Sequence, residues 1–519
     1  MHLGTSRRFG ALAVMVAASL ALAACEDGLK SGAPQSANVA DGGAIGVPAS
    51  TSDEAADTPA STPQSANPVP APAPTPHANP TQPNAPQSTQ TPTPAHQAGS
   101  ADPLTALYPA DFTLTALSAD PIADVAKPER ATGPDSGLVD PTYGTRIYRA
   151  TSADEGEGGR MRHEYSRRQA FNADNSRYLA QDTAGHWHLY DGATFAHLTV
   201  LQGLAGDCEP LWHPSDPNTL YFTSINGGRI WWSYNVNTGE KTELFDFTGK
   251  TPWPQATSFW TKGEGALSAD GRYLALMATA YNEQTQKNTI YGLLTLDLQK
   301  KEIIGTLDAE KFPVPHAFPD HISTSPSGAY AVPSWLKEHG GTWAYSRDFS
   351  QSWKLAEGSE HSDLAYGPNR EDYLVYADYS RGAIVAINVE TREVTDLHTL
   401  YPASGEAYAV HISGQAFDRP GWVVISTYAD SADYGKASPS PTVRPEYRKV
   451  WLQELAPEGR ALNIAHIRAN EHDVQGDPYF LEPQASASRD LSRIIFASNF
   501  GGGPVESYVV ALPNSVFKD

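Results

Sequence analysis

The stretch Ser268-Ala-Asp-Gly-Arg-Tyr-Leu-Ala-Leu-Met, followed by Gly292-Leu-Leu-Thr-Leu-Asp-Leu-Gln-Lys-Lys-Glu-Ile, decides the fold. Ser and Asp side chains bond nearby backbone, and Gly accepts positive φ, so Ser-x-Asp-Gly reads as a tight turn. The apolar run after it reads as a buried strand. The second segment reads as a hairpin: an apolar strand, an Asp turn and a charged outer strand. Working outward, the turn unit returns as Asn172-Ala-Asp-Asn-Ser-Arg-Tyr-Leu, Ser325-Pro-Ser-Gly-Ala-Tyr and Ser488-Arg-Asp-Leu-Ser-Arg-Ile-Ile. Looser copies are Trp212-His-Pro-Ser-Asp-Pro-Asn, Tyr366-Gly-Pro-Asn-Arg-Glu-Asp-Tyr and Phe417-Asp-Arg-Pro-Gly-Trp-Val. The outer hairpin returns as Ile230-Trp-Trp-Ser-Tyr-Asn-Val-Asn-Thr-Gly-Glu-Lys and Ala383-Ile-Val-Ala-Ile-Asn-Val-Glu-Thr-Arg-Glu-Val.

Two hairpins make a four-stranded sheet. Seven units over residues 141–519 average roughly 54 residues each, near the spacing of propeller blades. The expected fold is all-β, a seven-bladed β-propeller; eight blades or two smaller β domains compete with it. The last unit ends with the strand Ser507-Tyr-Val-Val-Ala-Leu and lacks an outer strand. Tyr143-Gly-Thr-Arg-Ile-Tyr-Arg-Ala is expected to fill that place and close the ring, which removes a sheet edge.

The first hundred residues differ in kind. Arg7 and Arg8 precede an uncharged apolar run from Ala11 to Ala23, too short for a span of ~20 residues. The run ends in Leu22-Ala23-Ala24-Cys25, which resembles the lipobox of bacterial lipoproteins. That resemblance implies cleavage after residue 24, lipid (a diacylglyceryl thioether and palmitate) on Cys25, and a membrane anchor. Ser6-Arg7-Arg8-Phe9 is similar to a twin-arginine signal, but Phe9 falls one position early, so the general secretory route is expected. The expected address is the cell envelope, on the periplasmic face or the cell surface. Residues 28–102 are rich in Pro, Ala, Ser, Thr, Gln and Asn. Such a chain cannot bury enough surface to offset its entropy. The expected plan is a signal peptide over 1–24, lipidated Cys25 and a disordered linker over 25–102, and the propeller over 103–519.

Only Cys25 and Cys208 occur, so a lipidated Cys25 leaves no intramolecular disulfide. Cys208 reads as a small buried residue. The net charge of −22 argues against nucleic acid as a partner. A monomer is expected.

The strand before each turn is the innermost of its blade. Aligning the turns places Arg168, Glu209, Glu264, His321, Asp363 or His361, His411 and Gln484 at the axis. The plain reading is a wet channel, where one polar residue per blade needs no function. The functional reading is that His321, His411, Gln484 and either Asp363 or His361 suit a divalent metal. They converge only if the ring forms. A second cluster is Arg162-His163-Glu164-Tyr165-Ser166-Arg167-Arg168, followed by His186-Trp187-His188. His and Tyr can carry a proton, and Arg can pair a carboxylate. The plain reading there is a solvated strand and a core Trp. There is no Gly-x-Ser-x-Gly, His-Glu-x-x-His or phosphate-binding Gly loop. Phe500-Gly-Gly-Gly-Pro reads as a turn.

Glu482-Pro-Gln-Ala-Ser-Ala-Ser-Arg-Asp, with Ile494-Ile-Phe-Ala-Ser-Asn-Phe, resembles the last blade of a group of secreted bacterial propellers. Their pattern is Glu-Pro-His-Ala-Ser, and this chain has Gln484 in place of the His. The axial His and Gln residues are similar to those of oligogalacturonate lyases, seven-bladed propellers that use a divalent metal and cleave uronic-acid chains by β-elimination. Some ulvan lyases are also propellers, with paired His, Tyr and Arg. The resemblance implies His163 or Tyr165 as proton carrier and Arg168 as carboxylate partner. It implies Glu209 and Glu264 as further ligand contacts. His321, His361 or Asp363, His411 and Gln484 would hold one metal, Mn, Ca or Zn. The expected function is an envelope-anchored propeller that binds or cleaves acidic glycans. The alternative is a non-catalytic binding or assembly module with an envelope protein as partner. A bound metal and a deep axial pocket favour the first; a channel plugged by Trp212, Trp260 or Phe259 favours the second.

Overall fold

The computed structural model describes residues 102–123, 137–359, 361–401, 408–430 and 442–517. The expected signal segment, Cys25 and the linker through residue 101 lie outside the described residues. The rest is nearly all β, arranged as the seven expected blades. Blade 1 comprises Arg160–Arg162, Arg177–Asp182, His186–Asp191 and His197–Ala205. Blade 2 runs from Leu211–Trp212 to Lys241–Asp246, and blade 3 from Ser258–Trp260 to Glu302–Asp308. Blade 4 starts at His321–Thr324, blade 5 at Asp363–Tyr366 and blade 6 at Tyr408–Ser413. Blade 7 takes Ser486–Ala487, Arg493–Ser498 and Val505–Ala511 from the end of the chain.

The turn chemistry works as the sequence suggests. Ser268 Oγ donates to Asp270 Oδ1 at 2.6 Å, and Tyr273 N donates back to Ser268 Oγ at 2.9 Å. Gly271 supplies φ +69°. Ser488 and Asp490 repeat the pattern at 2.8 Å, with Arg493 N on Ser488 Oγ at 3.0 Å. Asn172 accepts from Arg177 N at 2.9 Å in blade 1.

Ring closure is also as expected. Arg146–Arg149 pairs antiparallel with the last strand, Ile147 opposite Val510 and Arg149 opposite Tyr508. Arg149 Nε donates to Glu506 Oε2 at 2.6 Å, an ion pair across that seam. The last strand also meets blade 1 in parallel, Val505 opposite Arg160. Residues ahead of the ring dock on it. Leu104 is buried with Tyr148, Ile495 and Val509, and Asn463 Nδ2 donates to Ala116 O at 2.8 Å.

The cores lie between blades. Leu274, Leu276, Leu294 and Leu296 of blade 3 pack on Trp231, Phe245 and Phe247 of blade 2. Each fully buried side chain of this kind is worth ~1.5–3 kcal/mol. Trp212, Phe259 and Trp260 belong to these inter-blade cores and do not plug the channel. Cys208 is buried with them, and burial pushes its thiol up to about 12.

Candidate functional site

Inner strands start at one end of the channel and bring side chains from distant blades together there. The hub is Arg167, buried and bonded to Glu264, to the carbonyl of Ser362, and to His321 Nδ1 at 3.3 Å. The guanidinium sits 5.3 Å from the Tyr165 ring centroid. His321 Nδ1 is also 3.3 Å from Asp320 Oδ2, and Lys262 Nζ is 3.5 Å from Asp320 Oδ1. Burial, then the Arg167 charge, hold the His321 pKa below its usual value, so the ring is neutral at neutral pH. Lys262, His321 and Arg167 hold Asp320 ionised despite desolvation. Glu264, Asp320 and His321 offer one ligand atom each, all within 4.8 Å of one another. Two of these three are carboxylates already facing cations.

Beside the hub stands an aromatic cage. His361 and His411 meet edge to face, with centroids 4.6 Å apart. Tyr165 and Tyr428 complete it, 5.5 and 4.4 Å from His411. The Tyr165 hydroxyl is 2.9 Å from His361 Nδ1, and that of Tyr428 is 3.3 Å from His361 Nε2. His411 is fully buried, yet neither ring nitrogen has a hydrogen-bond partner. Its Nε2 is 3.4 Å from Glu482 Oε2, another buried atom without one. Burial lowers the pKa of His361 to about 4 and pushes the Glu482 carboxyl up to about 8. A small cleft lined by Tyr428, Arg448, Glu471 and Glu482 adjoins the cage.

The other sequence candidates serve the scaffold. Glu209 accepts from Thr261 N at 2.9 Å and from Thr261 Oγ1 at 3.0 Å, and faces Arg168 at 3.8 Å. Arg168 Nε donates to Gly263 O at 2.9 Å, while its Nη1 is buried with no hydrogen-bond partner. His163 uses both nitrogens: Nε2 meets Gln484 O at 2.7 Å and Nδ1 meets Ser507 Oγ at 3.1 Å. Burial, then Arg162, lower its pKa to about 3, a poor value for a proton carrier at neutral pH. Asp363 accepts from Gly414 N at 2.7 Å and Gln415 Nε2 at 2.9 Å. Of the pair Asp363 or His361, it is His361 that stands beside His411. Gln484 Oε1 accepts from Arg162, while its Nε2 has no hydrogen-bond partner.

Glu209, His361 and Gln484 take φ of +53°, +57° and +40°. Non-glycine residues adopt such angles at a cost, and they persist where the surroundings enforce them. Reading back from the turns missed Arg167, Asp320, Tyr428 and Glu482. Asp320 and Glu482 sit one and two residues from aligned positions, so a wider window finds them. Arg167 is next to Arg168 in the turn that follows the 160–162 strand, where no period-2 pattern tells the two apart. Tyr428 lies on a second strand and carries no sequence signal.

No family model and no curated protein matches this sequence. Among solved structures, one similar chain is an oligogalacturonate lyase in complex with manganese, at 16% identity and a TM-score of 0.50. That similarity covers 74% of this chain and 97% of the lyase. An oligogalacturonate lyase from Vibrio parahaemolyticus follows at 14% identity and a TM-score of 0.49, covering 73% and 97%. Identity this low shows the fold alone. The chain is thus a β-propeller distantly similar to oligogalacturonate lyase-type propellers.

Proposed function

We propose that the protein binds uronic-acid glycans at the axial site and cleaves them by β-elimination with the help of a divalent cation. The carrying observation is the Asp320–His321 pair set against Arg167. Once Arg167 leaves His321 Nδ1 for the substrate, that nitrogen can carry the proton and donate it to Asp320, which leaves Nε2 a lone pair as a base. Arg167 matches a substrate carboxylate, exchanging its bond to Glu264 for one to the uronate. In elimination the proton beside that carboxylate goes to His321, and its electron pair forms the carbon–carbon double bond. The glycosidic oxygen leaves and takes up a proton. Tyr165, held by His361, is the donor in reach of the same hub.

A resident cation fits the cage better than the hub. Carboxylates at the hub already face Arg167 and Lys262. His411 and Glu482 have buried acceptor atoms with no hydrogen bond, and a native fold seldom leaves such atoms idle. His411 and Glu482 would hold the ion, with Gln484 next to them and His361 joining by giving up its Tyr428 contact; nitrogen and oxygen donors suit Mn or Zn. The ion would neutralise the uronate and acidify the neighbouring proton.

The test is ultraviolet absorbance of unsaturated product from oligogalacturonate, with and without chelator, in wild type and His321→Ala/His411→Ala. Product that needs metal and disappears in the variant supports the reading. Full activity in that double variant overturns it. The second reading, a non-catalytic binding module, is favoured by one observation: Gln484 turns its oxygen to Arg162. The proposal includes an envelope anchor at Cys25; labelled palmitate incorporation, lost in Cys25→Ser, tests it.

A further inference from the structure

The motif His186-Trp187-His188 takes no part in the axial site. It lies on the third strand of blade 1. Alternation places the two histidines on one face, with Trp187 in the inter-blade core. Asp182 ends the preceding strand, and His197 starts the next one. Asp182 Oδ2 is 3.0 Å from His186 Nδ1 and 3.5 Å from His188 Nε2. His188 Nδ1 is 3.0 Å from His197 Nε2. We propose that Asp182, His186 and His188 bind a divalent cation of the zinc type, with His197 bracing His188 from behind.

Three observations carry this. First, the turn does not need the imidazoles. Glu157 N and His186 N donate to the two Asp182 oxygens at 2.9 and 2.8 Å, which already cap the 182–186 turn. Second, His188 is buried, and its Nε2 faces Asp182 without a hydrogen bond. Third, separations of 3.0 and 3.5 Å bracket the ~3.3 Å between ligand atoms that bonds of ~2.0–2.1 Å impose on a tetrahedral ion. Closing the site needs the half-exposed His186 ring to turn toward His188. The His188–His197 contact supplies the outer partner that metal-bound histidines use to fix ring orientation. Water would complete the shell, so the ion would sit apart from the cage and be indifferent to its substitution.

The experiment titrates Zn2+ into the full-length protein, with Co2+ absorption as a second readout. The variants are His186→Ala/His188→Ala, His197→Ala and, for the axial cage, His361→Ala/His411→Ala. The first is expected to lose one equivalent that the cage variant keeps. His197→Ala is expected to weaken that equivalent by about 10–100-fold. Should the buried double variant not fold, His186→Ala alone is expected to weaken Zn2+ binding with its melting curve unchanged. Equal stoichiometry and affinity across wild type, His186→Ala and His197→Ala overturns the proposal.

Discussion

Two groups of polar residues line the same channel, and they differ in how they are satisfied. The Glu209 carboxylate accepts from the amides of Thr261 and Gly263 and from the Thr261 hydroxyl, and faces Arg168, whose own Nη1 has no hydrogen bond. Around His411, a fully buried imidazole has none. Both groups are buried and both lie on or beside inner strands, so position in the fold does not separate them. Hydrogen-bond completeness does. A closed network rigidifies the ring, whereas an open one costs stability and persists where function repays it.

The largest effect should come from the hub. His321→Ala is expected to reduce uronate elimination by ~10²–10⁴-fold, the usual worth of a positioned acid or base. Its urea midpoint should stay close to wild type; a collapse of the midpoint would move His321 into the scaffold group.

Next come paired stability measurements. Glu209→Ala should cost ~3–5 kcal/mol, because it leaves Arg168 buried without its partner. His411→Leu should change stability by less than ~1 kcal/mol while abolishing metal binding at the cage, since no hydrogen bond is lost. Equal losses in urea unfolding would erase the distinction between the two groups.

A smaller effect concerns pH. The Glu482 carboxyl has its pKa raised from 4.5 to about 8 by burial, against the pull of Arg162. The fold therefore keeps a proton that the unfolded chain releases. Stability should fall as pH rises from 4.5 to about 8 and level off above that. Glu482→Gln should reduce this slope. Glu164 shifts in the same sense, so some slope remains. A cation bound at the cage would hold Glu482 ionised and flatten the curve for wild type alone.

The smallest effect belongs to the outer strands. Lys354 and Glu357 pair at 2.8 Å on the surface. Glu357→Ala should leave the urea midpoint unchanged, as loss of an exposed pair usually does. A lowered midpoint would show that the rim carries more of the ring than the cores do.

Much of the fold was legible in the chain. Ser268, Asp270 and Gly271 close their turn with atoms from six consecutive residues, so the unit recurs wherever that composition recurs. The closing strand was legible because the last unit runs out of chain and an apolar alternation waits upstream. Of the aligned axial positions, His321, Asp363 and His411 fall on inner strands, whereas Arg168, Glu209, Glu264, His361 and Gln484 fall in the segments beside them. Roles among these positions were not legible. Arg168 and Arg167 are adjacent and chemically identical, yet one anchors Glu209 and the other sits among Glu264, His321 and Tyr165. His163 carries the same side chain as His411, and Ser507 and Gln484 occupy its nitrogens.

By itself, then, the sequence determined the repeat and the turns, because those depend on contacts a few residues apart. Which polar groups are paired and which are left open was decided only by the tertiary structure. Glu209 meets Thr261 about one blade away, and His411 meets Glu482 about one blade beyond it. Such partners meet only when the ring closes.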